Sequence, residues 1–222
     1  MEGLEFMKTI ENHKVDLVLT DPPYAISKKN NFSITKNDDF KNHTIDFGEW
    51  DHQEVDMKAF IEQFYKKLRM GGTCIIFYDV WKMETMKKLM EEAGFKQIRL
   101  IEWLKKNPKP RNSKTNYLSN AREYAILGVK GTLNTFNSSY DRGVYVFSKV
   151  NGNTHPTQKP VALFRALIEK HSKKGDVVLD TFVGSGTTIK ACKESGRRCL
   201  ATDITSLYLE ENVLPYDDAI LF

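Results

Sequence analysis

Val15-Asp16-Leu17-Val18-Leu19-Thr20-Asp21-Pro22-Pro23-Tyr24 is the stretch on which the reading of the fold turns. Its first six residues form a short apolar run, the length of a buried strand. Two prolines then end the run and fix the backbone of the turn that follows. A carboxylate, a rigid carbonyl and an aromatic ring are gathered at one strand end. Such groups can hold an exocyclic amino group of a flat base, and the ring offers a face for stacking.

Some 160 positions downstream, another apolar strand runs into Asp180-Thr181-Phe182-Val183-Gly184-Ser185-Gly186. The pattern is a strand, a tight glycine turn and a helix start near Thr187. Glycines let the backbone approach a ligand closely, and a helix N-terminus offers N–H groups to a carboxylate. A dinucleotide fingerprint would need glycine where Ile189 stands, and a phosphate loop would need a lysine within Gly186-Thr187-Thr188. Asp203 ends the next strand, where an acidic residue can bind both hydroxyls of a ribose. The bland alternative is a glycine turn with Asp203 capping a helix; the matching strand ends of Asp180 and Asp203 weigh against it. His155-Pro156-Thr157-Gln158-Lys159-Pro160 is a stiff loop before a helix, with Pro160 suited to a first helical turn. Taken alone, His155 has the character of a structural histidine.

Between these motifs, strands alternate with helices. Helical spacing covers Phe60, Ile61, Phe64 and Leu68, with Gly71-Gly72 as the stop. Thr73–Tyr78 reads as a strand and Trp81–Ala93 as a helix with Met83, Met86, Leu89 and Met90 on one face, a stripe typical of core filling. Gln97–Leu104 and Glu123–Val129 read as consecutive strands, predicting an antiparallel pair at one edge. Helix is expected over Val161–His171 and Thr187–Glu194, and strand over Asp176–Leu179 and Arg198–Thr202. The polar stretches at about 27–46 and 131–154 read as a mobile loop and an irregular segment. The expected fold is α/β and Rossmann-like: one domain over 1–222, its twisted sheet mainly parallel, with helices on both faces. Ligands in such sheets lie at the carboxyl ends of strands, where Asp21, Asp180 and Asp203 all fall.

The chain has 222 residues, 41% hydrophobic and 28% charged, enough for one substantial core. Its net charge is +4, a mild basic balance compatible with an anionic partner and with an ordinary solvated surface. Cys74, Cys192 and Cys199 are odd in number and lack metal-ligand spacing, which predicts buried free thiols in a reducing compartment and no metal. The N-terminus has no signal-peptide pattern, and no apolar run approaches the roughly 20 residues of a membrane helix. A cytoplasmic protein is expected.

In this order, the three motifs resemble those of the beta class of DNA amino-methyltransferases, the adenine-N6 and cytosine-N4 family. Asp21-Pro22-Pro23-Tyr24 resembles the catalytic motif, Asp180 to Gly186 the S-adenosylmethionine motif, and His155 to Pro160 a second cofactor-contacting loop. The circularly permuted order, catalytic motif first and cofactor motif last, defines the class. The resemblance spans Val15 to Asp203, and Asp46-Phe47-Gly48-Glu49-Trp50-Asp51 is similar to a segment of small adenine-specific members. Members usually carry proline where Thr181 stands. The resemblance implies catalytic roles for Asp21, Pro22, Pro23 and Tyr24. It implies S-adenosylmethionine as cofactor, contacted by Asp21, His155, Thr157, Lys159, Asp180, Phe182, Gly184, Ser185, Gly186, Thr187 and Asp203.

Target recognition is expected at about 131–154, and dimers are common in the class, so a homodimer would extend so short a recognition surface. A companion restriction endonuclease is also compatible with the class. The leading aspartate of the catalytic motif favours adenine-N6; cytosine-N4 is the alternative. A silent DNA-binding subunit would not need Asp21, Tyr24, Gly184, Gly186 and Asp203 all intact. A protein-glutamine methyltransferase would carry asparagine in place of Asp21 and the opposite motif order. Double-stranded DNA is the expected partner. Lys105, Lys106, Lys109, Arg111 and Lys114 form an acid-free basic run suited to phosphates, with Lys28 and Lys29 as a second candidate.

Overall fold

The computed structural model describes residues 2–24, 55–108, 118–150, 158–204 and, for backbone alone, 220–221. The chain divides into two compact units, one of 1–22 with 56–222 and one of 23–55. The expected mobile loop at 27–46 lies outside the described residues.

In the larger unit the elements run α1 (Gly3–Thr9), β1 (Val15–Thr20), α2 (Met57–Lys67), β2 (Leu68–Tyr78), a 3-10 turn (Val80–Lys82), α3 (Met83–Ala93), β3 (Lys96–Lys105) and β4 (Arg122–Val129). β5 (Val144–Phe147), α4 (Val161–His171), β6 (Val177–Asp180), α5 (Thr187–Ser195), β7 (Arg198–Ala201) and β8 (Ile220–Leu221) complete it. The strands form one sheet in the order β5-β3-β4-β2-β1-β6-β7-β8. β1 is parallel to both β2 and β6, and β7 continues the parallel run. β4 is antiparallel to β2 and to β3.

Helices cover both faces, and the strand register shows it. Cys74 lies opposite Gly128 in the β2–β4 pair. A Cβ on Gly128 would meet Met90 and Phe95, so α3 and its following turn pack on that face. Phe77, an odd number of residues along, points the other way and stacks on Phe164 of α4 at 5.6 Å between ring centroids. Met83, Met86 and Met90 are buried as the stripe on α3 predicts.

Four expectations change. The antiparallel pair is present, but it is not the edge: β5 adds a parallel strand outside β3. The segment expected to be irregular therefore contributes to the sheet. Trp103 Nε1 donates to the Phe147 carbonyl at 3.0 Å, and Asn137 donates to the Glu169 and Ser172 carbonyls at the end of α4. Helix α1 was not foreseen. Gly71-Gly72 lie within β2 rather than ending α2, which stops at Lys67. Just past β4, the buried ammonium of Lys130 donates to the Tyr65 and Leu68 carbonyls at 2.5 and 2.7 Å, satisfying acceptors exposed where the helix ends.

The two glycines make a bulge instead. Val15 pairs with Leu68 but Leu17 with Thr73, so β2 carries extra residues there. Gly71 has φ +78°, and a Cβ on it would stand 2.4 Å from the Leu133 carbonyl oxygen. Gly175 has a similar φ of +84° but open space around it. Gly71→Ala is expected to lose about 2–3 kcal/mol of stability and Gly175→Ala about 1 kcal/mol, since only the first adds a clash to backbone strain. Urea unfolding midpoints of the two variants test this; equal losses would contradict it.

Candidate active site

β1 lies between β2 and β6, so the catalytic-motif strand and the glycine-turn strand are direct neighbours, with Val18 opposite Leu179. Their carboxyl ends are tied together by side chains. Thr20, the last residue of β1, donates its hydroxyl to Asp180 Oδ1 at 2.7 Å. Asp180 is buried, and its carboxylate also accepts the Phe182 N–H at 3.0 Å and the Thr188 hydroxyl at 2.5 Å. Both of its oxygens thus hold the turn and the first turn of α5. Burial pushes the Asp180 carboxyl up to about 6; the hydrogen bonds from Thr188, Thr20 and Phe182 oppose this, and the neighbouring Asp21 charge adds to it.

The glycine turn closes on β7. Val183 N–H donates to the Thr202 carbonyl at 3.2 Å and Thr202 N–H to the Asp180 carbonyl at 3.1 Å. Asp203 Oδ2 accepts the Gly184 N–H at 2.8 Å. Gly184 and Gly186 have φ of +51° and +81°, the left-handed region where a side chain is strained. Gly186 is the N-cap of α5 and supplies no side-chain cap, which leaves that helix end without a side chain of its own across its first-turn amides. Phe182 is half-buried, its ring 4.8 Å from that of Phe60. Ser185 and Thr187 are buried, with hydroxyls 3.4 Å apart.

Lys159 joins the third motif to both strand ends. Its carbonyl accepts the Thr187 hydroxyl at 3.3 Å. The side chain is 4% exposed, and its Nζ contacts Asp21 Oδ2 and lies 3.1 Å from Glu123 of β4. Glu123 in turn pairs with Lys105 at 2.7 Å. Nζ of Lys159 also stands 5.3 Å from the centroid of the Phe77 ring, within cation–π range. Burial alone would lower the Lys159 pKa, but the Asp21 and Glu123 charges outweigh it and the value is raised. Burial likewise works against ionised Glu123, yet the Lys159 and Lys105 charges hold its carboxyl below the ordinary value.

The structure therefore brings together Asp21, Lys159, Asp180, Phe182, Gly184, Ser185, Gly186, Thr187 and Asp203, with Pro22 buried beside Asp21. Pro23 and Tyr24 open the second unit. His155, Thr157, Lys28, Lys29, Lys109, Arg111 and Lys114 lie outside the described residues. Within the basic run, Lys106 is exposed, whereas Lys105 turns inward to Glu123 with a side chain 9% exposed. Three participants escaped sequence reading: Thr20, Thr188 and Glu123. The first two carry no signal beyond a hydroxyl beside a motif, and Glu123 sits in an ordinary strand.

The sheet is a Rossmann-like methyltransferase fold, with a carboxylate–proline turn and a glycine turn at adjacent strand ends. A family model described as DNA methylase, of the N6/N4 group, matches residues 15–213, and the chain belongs to that family. The type II methyltransferase M2.DpnII of Streptococcus pneumoniae is 30% identical over 94% of this chain and 85% of its own length. M2.MboI of Moraxella bovis is 28% identical over 83% of this chain and 74% of its own. Among solved structures, an M1.HpyAVI–SAM complex matches with a TM-score of 0.70 and 26% identity, covering 95% of this chain and 93% of the other. The cytosine-N4-specific PvuII methyltransferase matches at 0.75 with 18% identity, covering 98% and 85%, a likeness of fold.

Two stability predictions follow from the Asp180 turn. A carboxyl whose folded pKa is raised from 3.8 to about 6 stabilises the fold fully below pH about 4 and loses that contribution as pH rises through about 6. Relative to Asp180→Asn, the wild type should therefore lose on the order of 2–3 kcal/mol across that window, read from denaturant unfolding at each pH; parallel curves would contradict it. Thr181, where family members usually carry proline, buries a hydroxyl with no hydrogen-bond partner among the described residues. Thr181→Val should raise stability by about 1 kcal/mol, visible as a higher urea midpoint.

Proposed function

We propose that the chain transfers a methyl group from S-adenosylmethionine to the N6 amino group of adenine in double-stranded DNA. The observation that carries this reading is the adjacency of Asp21 and the glycine turn, joined through Thr20–Asp180 and Lys159. The donor set suits the cofactor. Positive-φ glycines leave the start of α5 open to an amino-acid carboxylate, and Asp203 sits at the strand end where ribose hydroxyls are bound in such sheets. When bound, S-adenosylmethionine would supply an electrophilic methyl on a sulfonium, already a good leaving group.

The work of the protein is then on the amine. Its lone pair is delocalised into the base ring. Hydrogen bonds from the amino group to the Asp21 carboxylate and the Pro22 carbonyl draw the nitrogen toward tetrahedral geometry and localise the lone pair. Positioning and fixed charge carry the rate. Tyr24 supplies a stacking face for the base. A base paired in a duplex cannot offer its amine to Asp21, so the target leaves the helix, at a cost of a few kcal/mol. Asp180, with both oxygens engaged, acts through the turn it holds rather than on the substrate.

The aspartate leading the catalytic motif favours adenine over cytosine. Lys106, with Lys28, Lys29, Lys109, Arg111 and Lys114, is assigned to phosphate contact, and residues 131–154 to target recognition. A companion endonuclease fits relatives named as type II methyltransferases, and a homodimer would extend the short recognition segment. No described helix is long and apolar enough to cross a membrane, which agrees with action on DNA in the cytoplasm.

Incubation with DNA and labelled S-adenosylmethionine, followed by nucleoside analysis, tests the reading. N6-methyladenine is expected from the wild type, and Asp21→Ala should lower kcat by ~100-fold or more. Recovery of N4-methylcytosine would move the assignment to the other base, and no methylated nucleoside at all would refute it.

A further inference from the structure

The family resemblance assigns Lys159 to the cofactor, yet its ammonium contacts Asp21, the residue proposed to hold the amine. Four side chains from separate elements alternate in charge: Lys105 of β3, Glu123 of β4, Lys159 of the loop before α4, and Asp21 after β1. The inner ammonium is almost wholly out of water, so it needs compensation from both sides. Glu123 fixes it at 3.1 Å, the Phe77 ring lines it at 5.3 Å, and Asp21 completes the set. Resting on the methyl-transfer reading, we propose that Lys159, anchored by Glu123, is the positioning residue for Asp21. It holds Oδ2 in place and keeps the carboxylate charged, fixing the plane in which Asp21 meets the amine.

The chemistry explains why such a clamp is needed. Only an ionised Asp21 accepts a hydrogen bond from the amine at either oxygen; once protonated, it competes as a donor. Of the charged groups around it, Glu123 and buried Asp180 are acidic and favour protonation. Lys159 is a cation in direct contact, and Lys105 acts at one remove through Glu123. Removing Lys159 therefore takes a positive charge from beside Asp21, whereas removing the Glu123 charge takes away a nearby negative one. The two changes must move Asp21 in opposite directions, which a merely structural role would not do.

The test compares Lys159→Met, Lys159→Arg and Glu123→Gln in the full chain. The first readout is carbon-13 NMR titration of the Asp21 side-chain carboxyl, identified by its loss in Asp21→Asn. The midpoint is expected to rise by about one pH unit or more in Lys159→Met, fall in Glu123→Gln, and return toward the wild type in Lys159→Arg. The acid limb of the kcat–pH profile should follow the same directions. In Lys159→Met, kcat should fall about tenfold or more while the calorimetric Kd for S-adenosylmethionine stays within about twofold.

An unmoved Asp21 titration in both charge-removing variants would overturn the proposal. So would a loss of cofactor affinity in Lys159→Met with kcat preserved, which would return Lys159 to the cofactor. If Lys159→Met does not fold, a downward shift in Glu123→Gln supports the clamp and its absence refutes it. Failure of the wild type to methylate DNA strikes the functional reading alone, because carboxyl titration and cofactor binding are read without turnover.

Discussion

An ammonium group removed from water needs compensating partners, and the burial of Lys159, compensated by carboxylates, imposes that demand on this fold. Its two carboxylates come from different places in the sheet, Asp21 beyond β1 and Glu123 on β4. Removing one partner from such a buried pair typically costs about 3–5 kcal/mol, so the cluster restricts where β1, β4 and the loop before α4 can end. Because the carbonyl of the same residue takes the Thr187 hydroxyl, the restriction extends to the helix that follows the glycine turn. One residue thus couples the turn after β1 to the start of α5.

Two aspartates stand at neighbouring strand ends, and their surroundings give them different work. Asp180 is sealed in, with three donors around it and a carboxyl pushed up to about 6. It is suited to holding backbone and hydroxyl groups, since it is buried with both oxygens engaged. Asp21 is partly exposed and directly paired with a cation, so it is fixed at one oxygen while remaining open to solvent. Environment rather than residue type divides their roles. A residue-type scan would rank them equally.

The parts legible in the sequence were those whose physics is local. Apolar runs, proline turns and glycine turns declare themselves within ten residues, so β1, β6, the α5 start and the methionine face of α3 could be read directly. What escaped depended on partners distant in the chain. Lys159 lies 36 residues from Glu123, and Lys105 lies 18 residues before it; only the sheet order makes them neighbours. The basic run looked uniform because sequence does not show that Lys105 turns inward. Gly71-Gly72 has the composition of a helix stop, but the terminating contacts come from Lys130, and the glycines serve a bulge. β5 was hidden because four residues pairing with β3 carry too little periodicity to stand out from polar neighbours.

Sheet adjacency also explains how the motif order can be permuted without loss of the site. What the proposed chemistry needs is that the carboxyl ends of β1 and β6 point the same way, side by side, as parallel pairing ensures. The connections between strands can begin anywhere, provided that the pairing and its register are kept. The Thr20–Asp180 hydrogen bond ties the two strand ends together just beyond that pairing. Connectivity is therefore free to vary, while the contact between strand ends is not. The residues that secure the contact, Thr20, Asp180, Thr188 and Lys159, constrain the site as tightly as those proposed to touch the base.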